Sequence, residues 1–303
     1  MKTIKYLHIL KTIKPYLLLL LCFLSFTALS QTVADSSFIE ENIKFKSGAD
    51  SLAGTIYIPR KPYAAIVLIH GSGQEKRMVK MAMLLAKNGI AVLTYDKRGV
   101  GQSGGVYVGP EVGTNNIDST NLDLLAVDAS AAANALLLNL PRNHGPLGLM
   151  GFSQAGWVIP LAAEKNNNVN FMVLFSGPVI NTLEQLRFQF FTQGNTKFWD
   201  THTESEAREH IRNDADRYQF TATDPQKSLA KLSIKGLWLF GEKDIQVPVN
   251  VSIEHLNELK AKGKLYEYRL FPELGHNTSS SKTPEPTVAA IQWIKTLGNS
   301  NKK

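Results

Sequence analysis

"PLGLMGFSQAGWVIPLAAEK", residues 146–165, joins a short apolar run to a helix-like run, with two glycines and a serine at the junction. Gly151 to Gly156 satisfy G-x-S-x-G, which a chain of this length meets by chance roughly one time in ten. The flanks therefore decide the reading. "PLGLM" has the length and apolarity of a buried strand, and "WVIPLAAEK" continues at helical spacing. Glycines on either side of Ser153 leave room for a backbone turn too sharp for side chains. A turn of that kind pushes a serine hydroxyl out over the sheet edge, so Ser153 is the candidate nucleophile.

Outward from this junction, strand-like and helix-like stretches alternate. Upstream lie "AAIVLIH" (64–70), "MVKMAMLLAKNG" (78–89), "IAVLTYD" (90–96) and a long helical pattern over about 117–140. Downstream, "NFMVLFSG", "IKGLWLFGEKD" and "KLYEYRLFPELGH" each end in a loop and are followed by helical segments. Apolar strands without polar alternation, each followed by a helix, imply a mostly parallel central sheet with helices on both faces. Two strands at the front, around "NIKFKS" and "LAGTIYIP", are expected to form an antiparallel edge. The rhythm breaks at about 179–233, where a single crossover would need only about 10 to 15 residues. That stretch is rich in aromatics and long polar side chains and reads as a helical cap insertion. Its Phe188, Phe190, Phe191, Phe198 and Trp199 either line an acyl pocket or pack the inserted helices onto the domain.

A serine hydroxyl needs a base to take its proton. Of seven histidines, His276 in "ELGHNTSS" follows the last strand and falls at the same sheet edge as Ser153. The imidazole in turn needs a carboxylate, and Asp244 stands just past the preceding strand in "LFGEKDIQVP", with Glu242 as local rival. The oxyanion of a tetrahedral intermediate needs donors. One is the backbone N–H of Gln154, next to the nucleophile. The other is expected from Ser72 or Gly73 in "HGSGQ", the loop after the first central strand.

"HGSG" (70–73), "YDKRGVGQSGG" (95–105), "GFSQAG" (151–156), "GEKD" (241–244) and "GH" (275–276), in the chain order Ser153, Asp244, His276, resemble the α/β-hydrolase superfamily over nearly all of residues 31–303. Within it the chain is similar to exported bacterial carboxylesterases, which pair a "GSG" loop with a "SQAGW"-type helix start. The resemblance implies two-step acyl transfer from a small-molecule ester to water, with no metal and no organic cofactor. It also implies that Asp96 and Arg98 anchor a loop and take no part in the chemistry.

Residues 1–30 differ from the rest. Four lysines without an acid precede an apolar run that ends Ala28-Leu29-Ser30, the pattern of a cleaved signal peptide. The run is shorter than the roughly 20 residues of a spanning helix, so no stable membrane insertion is expected after cleavage, and the remainder, 31–303, is read as one exported domain, periplasmic or secreted. Without those lysines the net charge falls from +7 to +3, and nucleic acid is not indicated as a partner. Cys22 leaves with the same segment, so the mature chain has no thiolate nucleophile. "GVGQSG" (99–104) satisfies the dinucleotide pattern, but the helix that pattern requires begins more than ten residues later. His202 and His210 lack metal-site spacing. The leading function is a serine esterase. A serine peptidase of the same fold is the alternative, with Glu184, Glu204 and Glu206 as possible anchors for a substrate amine. A non-catalytic binding protein would be expected to lack a member of the Ser153, Asp244, His276 set.

Overall fold

Largely apolar runs over 64–69, 90–95, 147–152 and 171–175 suit strands covered on both faces, and the computed structural model, which describes residues 37–300, builds them so. The expected signal segment lies outside the described residues. In chain order the elements are β1 (Phe38–Ser47), β2 (Asp50–Pro59), β3 (Ala64–Ile69), α1 (Val79–Lys87), β4 (Ile90–Tyr95), α2 (Ser119–Leu138), β5 (Leu147–Phe152) and α3 (Ala155–Lys165). They continue with β6 (Val169–Phe175), α4 (Thr182–Thr192), α5 (Glu204–Asn213), α6 (Pro225–Lys231), β7 (Lys235–Gly241), α7 (Val249–Ala261), β8 (Tyr266–Phe271) and α8 (Glu285–Ser300). The eight strands form one sheet in the order β1-β2-β4-β3-β5-β6-β7-β8. β2 runs antiparallel to both β1 and β4, and every pair from β4 to β8 is parallel, so the front hairpin is the antiparallel edge.

Successive side chains of a strand point to opposite faces, and the core divides accordingly. Ala65, Val67 and Ile69 of β3 join α2, α3 and α7 on one face. Ala64, Ile66 and Leu68 join α1 and α8 on the other. The edge hairpin is locked to the first layer by a buried polar knot. Ser47 Oγ donates to Asp128 Oδ1 (2.5 Å) and Arg98 Nε donates to Asp128 Oδ2 (2.9 Å), with both charges nearly fully buried. Arg98 thus anchors the loop after β4, as does Asp96, whose carboxylate accepts from the Arg77 and Gln102 backbone N–H groups. The glycines of "GVGQSG" serve this loop, Gly99 and Gly101 at φ 70° and 58°, and the following helix opens only at Ser119.

The inserted stretch folds as α4, a single 3₁₀ turn (Phe198–Asp200), α5 and α6. Asn181 caps α4 by accepting from Leu183 and Glu184, and Thr203 with Glu206 forms a capping box on α5. Phe188, Phe198, Ala207 and Ile211 form a separate small core, with Phe191 and Trp199 packed against it. Of the two roles open to these aromatics, Phe188, Phe191, Phe198 and Trp199 fill that of packing the cap, while Phe190 stacks on Tyr218 beneath Arg217.

Candidate active site

The sharp turn expected at Ser153 is present and is backbone-strained: Ser153 sits at φ 50°, in the left-handed region that costs a non-glycine residue about 1–3 kcal/mol. Its surroundings enforce the turn. A Cβ on Gly151 would lie 2.4 Å from the Ala155 Cβ, and one on Gly156 would lie 2.5 Å from Pro178 Cδ. The Ser153 N–H donates to the Phe175 carbonyl (3.0 Å), tying the turn to the end of β6.

β7 and β8 deliver the other two residues to the same edge. The end of β7 passes so close to the loop after β8 that a Cβ on Gly241 would lie 2.2 Å from the Gly275 carbonyl oxygen. Asp244 is fully buried. Its Oδ1 accepts from the Gln246 and Val247 N–H groups (2.7 and 3.0 Å), and its Oδ2 faces His276 Nδ1 at 2.8 Å. A carboxylate saturated in this way holds the proton on Nδ1 and leaves Nε2 as the basic nitrogen. Thr278, buried and bonded to the Leu239 carbonyl, fixes the histidine loop from below. His276 and Ser153 line one cavity of about 1010 Å³. Glu242, the rival acid, is exposed, and the His276 imidazole pairs with Asp244 instead.

The loop after β3 is braced through its carbonyls. Lys97 Nζ donates to Gly71 O (2.6 Å), Gly73 O (3.3 Å) and Gln154 Oε1 (3.1 Å), and the Ser72 carbonyl accepts from Tyr107 Oη and Asn116 Nδ2. In a trans peptide, a carbonyl and the following N–H point in opposite directions. The Ser72 N–H therefore points away from Lys97, and the Gly73 N–H away from Tyr107. Neither has a hydrogen-bond acceptor among the described residues. Ser72 lines both cavities adjoining Ser153, whereas Gly73 lines neither, so of the two expected donors Ser72 is the better placed. Gln154 lines the second cavity, and its side chain is held at both ends, by Lys97 and by the Asn116 carbonyl.

Lys97 and His70 are both strongly perturbed beneath this loop. Burial pushes the Lys97 ammonium down to about 8, against the opposing pull of Glu75 and Glu111. Burial, with Lys97 nearby, holds the His70 imidazolium down to about 3, so His70 is neutral and its Nε2 donates to the Tyr95 carbonyl (2.6 Å). His70 is thus a structural strut. Lys97 stood in a quoted motif, but sequence reasoning gave it no role.

Two further features escaped the sequence. Met78, Met81 and Leu84 of the α1 segment, with Phe152 and Phe175, supply the apolar wall of the larger cavity. Trp199 of the cap donates from Nε1 to the Asp244 carbonyl (2.9 Å), coupling the insertion to the acid. Glu184, Glu204 and Glu206 line neither cavity: Glu204 pairs with Arg208, and Glu206 closes the α5 capping box. His202 and His210 stack on Phe198 and Phe191 within the cap.

Comparison with known proteins follows the same lines. The family model described as serine aminopeptidase S33 (Hydrolase_4) matches residues 60–226, more than half of the chain. An esterase from Pyrococcus furiosus is similar in structure at TM-score 0.60 and 17% identity, over 90% of this chain and 94% of that one. An acetyl xylan esterase from Paenibacillus sp. R4 aligns at TM-score 0.61 and 16% identity, over 89% of this chain and 87% of that one. An acylaminoacyl peptidase from Pyrococcus horikoshii aligns at TM-score 0.60 and 16% identity, over 86% of this chain and 41% of that one. At such identities the likeness carries the fold. The chain spans between 31% and 51% of the length of the curated relatives it matches, at 26–29% identity.

Proposed function

The chain belongs to the serine aminopeptidase S33 family of α/β-hydrolases, and from that premise we propose that it hydrolyses carboxylic esters through an acyl-enzyme on Ser153. The observation that carries the reading is His276, 2.8 Å from the buried Asp244 carboxylate and lining the same cavity as a serine held at φ 50°. His276 Nε2 takes the Ser153 proton as Oγ attacks the ester carbonyl, and Asp244 stabilises the imidazolium. The Gln154 and Ser72 N–H groups meet the developing oxyanion. Collapse expels the alkoxide, which receives the proton from His276, and water repeats the sequence to release the acid.

A peptidase remains the second reading, because the family description names one. An aminopeptidase must neutralise a substrate ammonium, and an unpaired buried charge is costly. Among the described residues Glu75 is the one carboxylate lining either cavity, and its Oε2 already accepts the Gly71 N–H at 3.1 Å. This supports ester over peptide. The test is kcat/KM for a butanoyl ester against a panel of dipeptide amides, with a covalent serine probe that labels the wild type and not Ser153→Ala. Equal efficiency on any peptide amide overturns the assignment. We further propose export, on the strength of the residues 1–30 pattern; N-terminal sequencing of the mature protein that begins before residue 20 would refute it.

A further inference from the structure

We infer that the enzyme's substrates are acyl esters of neutral carbohydrates, with the acyl group on one side of Ser153 and the sugar in a second, uncharged cavity on the other. The inference deepens the esterase reading and rests on it. Two cavities, of about 1010 and 640 Å³, meet at Ser72, Ser153 and Gln246, which line both. The larger carries the methionine and phenylalanine wall already described, which suits an acyl chain. In the smaller, no Asp, Glu, Lys, Arg or His lines the wall among the described residues, in a chain where 19% of residues are charged.

What replaces charge there is amide. Asn115, Asn116, Gln154, Gln185, Gln189 and Gln246 all line the smaller cavity. An amide both donates and accepts, as a hydroxyl does, so a wall of amides complements a polyol and offers nothing to neutralise an ion. Several of these groups have capacity left over. Gln185 is 2% exposed, and its buried Oε1 has no partner. Gln189 uses its Nε2 on the Gln246 carbonyl and Asn116 its Nδ2 on the Ser72 carbonyl, leaving both side-chain oxygens unpaired among the described residues. The Gln246 side chain makes no hydrogen bond among the described residues. If an amide were turned over, oxygen and nitrogen would exchange, but the unpaired end would stay. A plain alkyl alcohol would leave those ends dry, whereas sugar hydroxyls would pair them.

The reaction balances without a further reactant. Ser153 Oγ forms a bond to the acyl carbon, the bond from that carbon to the sugar oxygen breaks, and His276 passes the proton to that oxygen. Water then adds to the acyl carbon and frees the carboxylic acid, regenerating Ser153.

The test compares 6-O-butanoyl methyl glucoside, ethyl butanoate and 6-O-butanoyl glucosamine on one preparation, since all three share the acyl group and a primary alkoxide. The expected result is a kcat/KM for the glucoside ester at least about tenfold above both others, as for a site built to pair hydroxyls. Gln185→Leu and, should that buried change impair folding, the half-buried Gln189→Leu should each lower the glucoside-to-ethyl preference several-fold, through KM. Hydrolysis of ethyl butanoate with no preference for the glucoside overturns the carbohydrate inference and leaves the esterase reading standing. A glucoside preference untouched by both variants overturns the assignment of this cavity. A preference for the glucosamine ester overturns its neutrality. Failure on all three esters sinks the esterase reading itself.

Discussion

Replacing Lys97 by Met should separate catalysis from stability. The substitution keeps the length of the side chain and deletes the ammonium that holds Gly71 O, Gly73 O and Gln154 Oε1. Gly73 O keeps the Glu75 N–H at 2.9 Å, so two buried acceptors, Gly71 O and Gln154 Oε1, are left unpaired, at about 1 kcal/mol each or somewhat more. Against that loss, burial lowers the ammonium from 10.5 to about 8, which corresponds to about 3 kcal/mol of unfavourable desolvation that Met does not carry. The two effects nearly offset, so urea unfolding at pH 7 should place the variant within about 2 kcal/mol of the wild type. Catalysis has no such offset. The Ser72 N–H is aimed through the Gly71 peptide, and loss of one oxyanion donor typically costs about 10²-fold or more in kcat with little change in KM. The assay is kcat and KM on a butanoyl ester, measured beside the unfolding curve. A kcat within threefold of wild type, or a kcat loss accompanied by a collapse in stability, would refute the argument. The pH dependence adds a check. Because the folded-state pKa is the lower one, the unfolded chain holds the extra proton between about pH 8 and 10.5. Wild type should therefore gain stability relative to Lys97→Met as pH rises through that window, and a flat difference would contradict the burial argument.

Ser153→Ala should lower ester turnover by about 10⁶, and Ser153→Gly, equally inactive, should be more stable than the Ala variant by about 1 kcal/mol because glycine accepts φ 50°. Equal thermal unfolding of the two would show that the turn stores no strain. Asp244→Asn should reduce kcat about 10⁴-fold by favouring the wrong histidine tautomer, while the exposed Glu242→Gln should stay near wild type. The reverse pattern in the same kinetic assay would reassign the acid. His70, held down to about 3 against 6.5 in the unfolded chain, takes up its proton only on unfolding between those values. Stability should fall as pH drops from 6.5 towards 3, and His70→Gln should flatten that fall; a parallel acid transition in both proteins would show that His70 does not drive it.

The parts of this molecule that were legible in the sequence are those whose cause is local. The elbow needs two glycines and a serine within six residues, and the close contacts that a Cβ at Gly151 or Gly156 would make explain why nothing larger stands there. The order of strands and helices follows from apolar runs, and the ends of the runs place Asp244 and His276 at one sheet edge. Lys97 was out of reach because its meaning lies in Gly71 and Gln154, which are 26 and 57 residues away in the chain. Only the fold brings three acceptors around one ammonium. The cap aromatics illustrate a second limit. Periodicity says that Phe188 and Phe198 share an apolar environment, but not whether a substrate or other side chains provide it, and here Ala207 and Ile211 do. The amide wall is the hardest case. Its residues come from the loop before α2, the helix start at Gln154, the cap helix α4 and the loop after Asp244, and none is unusual in its own segment. What distinguishes them is the absence of a charge at every one of those positions at once, a property of the surface they jointly form. The chemistry proposed at Ser153 is therefore written in short motifs, whereas the proposed choice of substrate is written in residues that meet only after folding, and Gln185→Leu probes the second without touching the first.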